Sequence, residues 1–184
     1  MDKVSQKLKH QIEVSAGNVQ YTYIAHWIIV NRLKSRNVSI KVTQIILTAL
    51  STGGFLASMV AGVPWLCWIG GFTSALALGL NLYSLNFNLP AEIKSHMDAA
   101  NSLWDIRESY KDLITDFDEL SNEQIREKRN EITKDVSRIN KMYPGTDDKA
   151  FKKAQKHIPD YMFEEGEAAK IINYKGEEND SISE

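Results

Sequence analysis

Residues 42–91, VTQIILTALSTGGFLASMVAGVPWLCWIGGFTSALALGLNLYSLNFNLPA, contain no Lys, Arg, His, Asp or Glu. The chain as a whole is 25% charged, so fifty consecutive positions without a charge are a selected feature. The run divides at Gly62-Val63-Pro64. Before the division, residues 42–62 make about 31 Å of helix at about 1.5 Å per residue, matching a hydrocarbon core of roughly 30 Å. After it, residues 64–86 are equally long. Pro64 suits the start of a helix, where its missing N–H would have no partner anyway, and Gly62 suits a sharp reversal. A buried hairpin in a soluble core is the alternative, but a chain of 184 residues has too little remaining surface to cover fifty uncharged ones. The stretch is therefore read as a transmembrane hairpin over residues 42–87.

The flanks set its direction. Residues 1–41 carry a net charge of +5 and residues 92–184 a net charge of −7. Arg32, Lys34, Arg36 and Lys41 precede the first span, Lys94 follows the second, and the bend has no positive residue. The positive-inside rule then places both ends in the cytoplasm. Trp65 and Trp68 fall at the outer boundary and Tyr83 near the inner one, as interfacial aromatics do. MDKVSQKLKH, at the start, lacks the apolar core of a secretory signal. Cys67 is the single cysteine and lies in the second span, so no disulfide within the chain is expected.

Working outward toward the N-terminus, Val4, Leu8, Ile12, Ala16, Val19, Tyr23, Trp27 and Val30 recur at steps of three and four, the stripe of an amphipathic helix over residues 3–36. Gly17-Asn18 is expected to kink or break it, since glycine costs about 1 kcal/mol inside a helix. Residues 21–33 are apolar but too short to span, and are expected to pack on a cytoplasmic domain. His26, within them, is expected to be a packed, hydrogen-bonded histidine.

Toward the C-terminus, Ala99, Leu103, Ile106, Tyr110, Leu113, Phe117 and Leu120 alternate steps of four and three, a heptad seam that requires a facing helix. Ser121 and Gln124 form a capping box, after which Ile125, Ile132, Val136, Ile139 and Tyr143 share one face of an antiparallel return helix. Pro144-Gly145 stops it. Thr146 is expected to cap a short helix over residues 147–157, closed by Pro159. Its acids at the start and lysines toward the end suit the helix dipole. The remainder, residues 158–184, has the composition of a disordered tail. The fold expected is an all-α membrane protein: an N-terminal amphipathic helix (1–41), the hairpin, and a cytoplasmic antiparallel, coiled-coil-like domain (91–157).

Two faces stand out within the spans. Ala49, Gly53, Ala57 and Ala61 form a ladder of small residues, answered by Gly71, Ala75 and Gly79, and such ladders allow close helix packing in lipid. Gln44, Thr48, Ser51, Phe55 and Ser58 lie within an arc of about 80° on the first span. Either their hydroxyls bond back to their own helix, or several copies surround a pore lined by this face with Phe55 as its constriction.

Catalytic motifs are lacking. There is no phosphate loop, C-x-x-C, H-E-x-x-H or serine elbow. His10, His26, His96 and His157 are too scattered in sequence to argue a metal site. The expectation is a protein that is not an enzyme, with no cofactor, no metal and no direct nucleic-acid contact, its basic N-terminal flank serving orientation.

Two stretches carry a family resemblance: DAANSLWDIRESYKDLITDF at residues 98–117 and YPGTDDKAFKKAQK at residues 143–156. With the helix order, they resemble the SLATT proteins, the bacterial SMODS- and SLOG-associating two-transmembrane effectors, over roughly residues 20–157. The resemblance implies a membrane effector of anti-phage conflict systems in the bacterial inner membrane. It would be encoded beside a nucleotide-signal synthase, a nucleotide sensor or a reverse transcriptase. No family active-site residue carries over. Two classes of function are left: an oligomeric pore-former released by a signal, and a membrane-anchored scaffold that recruits a cytoplasmic partner.

Overall fold

The computed structural model describes residues 3–156, and every element in them is a helix: α1 (Lys3–Ala61), α2 (Trp65–Asn86), α3 (Leu89–Thr115), α4 (Asn122–Met142) and α5 (Asp148–Gln155). The tail assigned to residues 158–184, the stop at Pro159 and His157 lie outside the described residues. Contacts divide the chain into two units. One combines α1 through Val30 with the chain from Lys94 onward, and the other runs from Asn31 to Ile93.

In the first unit, α1 and α3 run antiparallel. His26 meets His96, Tyr23 meets Trp104 and Lys9 lies over the Phe117 ring, so α3 positions rise as α1 positions fall. The heptad stripe of α3 is buried as its spacing requires: Ala99, Leu103, Ile106, Tyr110, Leu113 and Phe117 are all at most 6% exposed. From α1 come Leu8, Ile12, Ala16, Val19, Ile29 and Val30, and from α4 Ile125, Ile132 and Ile139. Ser5 bonds Asn122 and Arg129 bonds Gln11, which sets α4 parallel to α1. The capping box of α4 is complete, Gln124 N–H donating to Ser121 Oγ and Ser121 N–H to the Gln124 side chain.

Three local expectations are corrected. Gly17-Asn18 does not interrupt α1, which stays helical throughout. Gly17 is buried between the core residues Ala16 and Val19, and packing of that face outweighs a propensity penalty of about 1 kcal/mol. The α5 cap is Asp147, whose carboxylate accepts from Ala150 N–H at 2.8 Å, one residue beyond Thr146. On α3 the helix ends at Thr115, so Phe117 reaches the core from the following turn. Residues 21–33 pack as expected, with Tyr21, Ala25, His26, Ile29 and Val30 buried.

The second unit holds the apolar stretches of the two helices that, among the described residues, are long and apolar enough to cross a membrane. They reverse through Gly62, Val63 and Pro64. Gly62 has φ of +63°, the left-handed angle at which a side chain would be strained. Apolar side chains here face outward: Met59 is 82% exposed, Val60 88%, Trp68 82% and Leu85 79%. A soluble protein does not present so continuous an apolar surface to water, and lipid is the solvent that suits it.

Candidate functional site

The hairpin packs along a seam of alternating three- and four-residue steps. On α1 the shielded positions are Gln44, Leu47, Ser51, Gly54 and Ser58, and on α2 they are Leu66, Gly70, Thr73, Ala77 and Leu80. Glycine is what lets the backbones approach. A Cβ on Gly54 would stand 3.2 Å from the Leu66 carbonyl oxygen and 3.3 Å from Gly70 Cα, and one on Gly70 would stand 3.1 Å from the Ser51 carbonyl oxygen. Backbone atoms cannot yield as a flexible side-chain end can. Sequence reasoning missed this pair, because Gly53-Gly54 and Gly70-Gly71 are double glycines and periodicity did not say which member faces inward.

The proposed pore-lining residues divide. Ser51 Oγ donates to the Gly70 carbonyl of α2 at 3.0 Å, and Gln44 and Ser58 are half-buried on the same seam. Thr48 is exposed and bonds back to the Gln44 carbonyl at 2.8 Å. Phe55, 41% exposed, lays its ring on the bare surface of Gly70. In the single chain this polar arc therefore joins the two spans. Ala49, Gly53, Ala57 and Ala61 are exposed, as are Gly71, Ala75 and Gly79. A Cβ added at Gly53, Gly71 or Gly79 would meet nothing within 4 Å. The small ladders lie on faces the hairpin leaves open.

Interfacial residues mark the ends. At the bend, Trp65 and Trp68 are exposed. At the other end, the Arg36 guanidinium donates to the Tyr83 hydroxyl and lies 5.7 Å from the centre of its ring, while Tyr83 stacks on Phe87 at 4.5 Å. A cation held against a tyrosine suits the headgroup layer, where an apolar ring and a charge are both solvated.

Residues 8–165 match the family described as SMODS and SLOG-associating 2TM effector domain family 4. The chain belongs to the SLATT family. No curated protein and no solved structure matches it. The SLATT assignment makes it an effector domain with two membrane helices, in keeping with α1 and α2.

In the first unit the buried polar side chains among the described residues are Glu13, Gln20, His26, His96 and Arg107. Arg107 pairs with Glu108 at 2.6 Å and stacks over Trp104 at 4.4 Å. Among the described residues the Gln20 side-chain oxygen Oε1 has no hydrogen-bond partner. Two histidines that looked too scattered to be related come together: His26 and His96 place their Nδ1 atoms 2.8 Å apart. Burial, and then the nearby His96, lower the His26 pKa to about 4. Burial also raises that of Tyr21, which packs on Phe151. Among the described residues no three metal-binding side chains cluster.

Proposed function

We propose that this SLATT chain oligomerises in the bacterial inner membrane and breaches it on a signal from a cytoplasmic partner. That partner would be a nucleotide-signal synthase, a nucleotide sensor or a reverse transcriptase. The observation that carries this reading is the pair of unoccupied small-residue faces, with open space at Gly53, Gly71 and Gly79 beside a hairpin that already packs through Gly54 and Gly70. In lipid, helices associate by such close, small faces because the solvent supplies no hydrophobic drive between them. An isolated hairpin has no use for two of them. The basic residues flanking the spans favour both ends in the cytoplasm.

The pore in this reading forms from the polar arc of α1, part of which lies in the seam. Gln44, Thr48, Ser51, Phe55 and Ser58 would line it once α2 moves off α1, when Ser51 releases the Gly70 carbonyl and turns toward water. Phe55, near the middle of the span, would hold the pathway shut by excluding water. A second reading is favoured by the Ser51–Gly70 bond, since a hairpin that satisfies its own polar face serves equally as the anchor of a scaffold.

Induced expression with a membrane-potential dye and a potassium electrode separates the two. Phe55→Ser is expected to wet the pathway, collapse the potential and arrest growth without any trigger. An intact potential and normal growth, in cells whose membranes hold normal amounts of the variant, would remove the pore and leave the scaffold.

A further inference from the structure

His26 on α1 and His96 on α3 are each 4% exposed, with Nδ1 atoms 2.8 Å apart and ring centres 5.0 Å apart. Only one hydrogen fits between two nitrogens at that distance. When both rings are neutral, one holds its proton on Nδ1 and donates, and the other accepts. A single added proton leaves the bond in place, because an imidazolium Nδ1–H still has a neutral acceptor opposite. A second proton does not. Two N–H groups and two positive charges would then face each other in a buried site, and the contact must open.

The field at His26 comes from His96. The other buried ionisable groups among the described residues are Glu13 and Arg107, roughly 20 Å and 16 Å away along their own helices. On α3, Lys94 and Asp98 flank His96 and pair with each other at 2.5 Å, while Glu92 is exposed. Tyr21 and Tyr23 on α1 pack against Phe151 and Trp104. In α4, Asp135 pairs with Arg138, and Tyr143, just beyond its end, lies in the field of Lys94. α5 turns Ala150 and Ala154 inward and leaves Lys149, Lys152 and Lys153 exposed.

We propose that His26 and His96 form a proton-operated clasp, which ties the helix leading into the first span to the helix leaving the second until both imidazoles are charged. It stands on the geometry of this pair, whether or not the spans conduct. The direction follows from the lowered pKa of His26. An unfolded histidine titrates near about 6.5, so the closed arrangement is fully favoured above that value. It loses support as the pH falls from there through about 4.

The test uses the full chain in detergent micelles, labelled with ¹⁵N-histidine, with backbone hydrogen exchange followed alongside. At about pH 7.5 one ring of the pair is expected in the Nδ1–H form and the other in the Nε2–H form. Toward about pH 4, exchange at residues 22–30 and 96–103, corrected for its intrinsic pH dependence, is expected to rise about tenfold or more. His96→Asn offers an amide in place of the imidazole but cannot take up a proton, so that rise should shrink in it to what the burial of His26 alone contributes. His26→Asn is the second variant should the first not fold. The same acid-induced rise in a folded Asn variant overturns the clasp. So does double protonation of the unmodified pair without faster exchange, a result that needs no variant.

Discussion

Leu113 is 2% exposed in the α3 seam, whereas Lys111, two residues earlier, points outward and meets Glu108 at 3.7 Å. Removing a buried leucine side chain forfeits its transfer free energy and leaves a cavity, so Leu113→Ala is expected to destabilise the first unit by about 2 to 5 kcal/mol. Loosening an exposed ion pair does little, and Lys111→Ala should stay within about 0.5 kcal/mol. Thermal unfolding of the full chain in detergent measures both, and equal losses would mean the helical phase is wrong. That phase was readable from the sequence, since seven apolar residues in heptad register leave one solution. The histidines were readable only by halves. That His26 would be packed and hydrogen-bonded follows from its apolar surroundings, but its partner lies seventy residues on, and nothing local to either residue points to the other.

At the scale of the helix, the two members of each double glycine have opposite surroundings. Gly54→Leu would drive a side chain into the Leu66 carbonyl and Gly70, and is expected to lower the Tm of the hairpin in detergent. Gly53→Leu meets open space within the chain, so it should leave that Tm unchanged while abolishing cross-linked multimers in membranes. Identical behaviour of the two variants would sink the assignment of an inner and an outer small face. Periodicity identified the polar arc on α1 as a face, and the ladder as another, because angular position depends on sequence spacing alone. What each face meets is a different matter. The arc packs on α2 through Ser51, beside Gly54, a pairing decided by which glycines allow backbone approach. The α5 cap moved from Thr146 to Asp147 for a comparable reason, since two adjacent residues can both cap and the carboxylate is the better acceptor for an N-terminal N–H.

For the molecule as a whole, the gap in charge from residue 42 to residue 91 was enough to find both spans and their bend, because burying a charge in hydrocarbon is costly enough to leave a sharp edge in the sequence. The continuity of α1 through residues 31–41 was not visible there, since a polar connection and a polar helix have similar compositions. The protein is expected to stay in the pellet after an alkaline wash. With both ends inside, a thiol reagent that cannot cross the membrane should label Val63→Cys in a Cys67→Ser background on intact cells. Recovery in the alkaline supernatant would remove the spans, and labelling only after lysis would reverse the orientation.

The bend itself is only Gly62, Val63 and Pro64, with Trp65 and Trp68 beside it. If it is the only part reaching the far side, the described chain offers the outside world almost nothing to grip. On that orientation, a protease added to whole cells is expected to find no accessible loop of useful length among the described residues. On the orientation that the flanking charges favour, a signal for this chain would be expected to be read on the inner side.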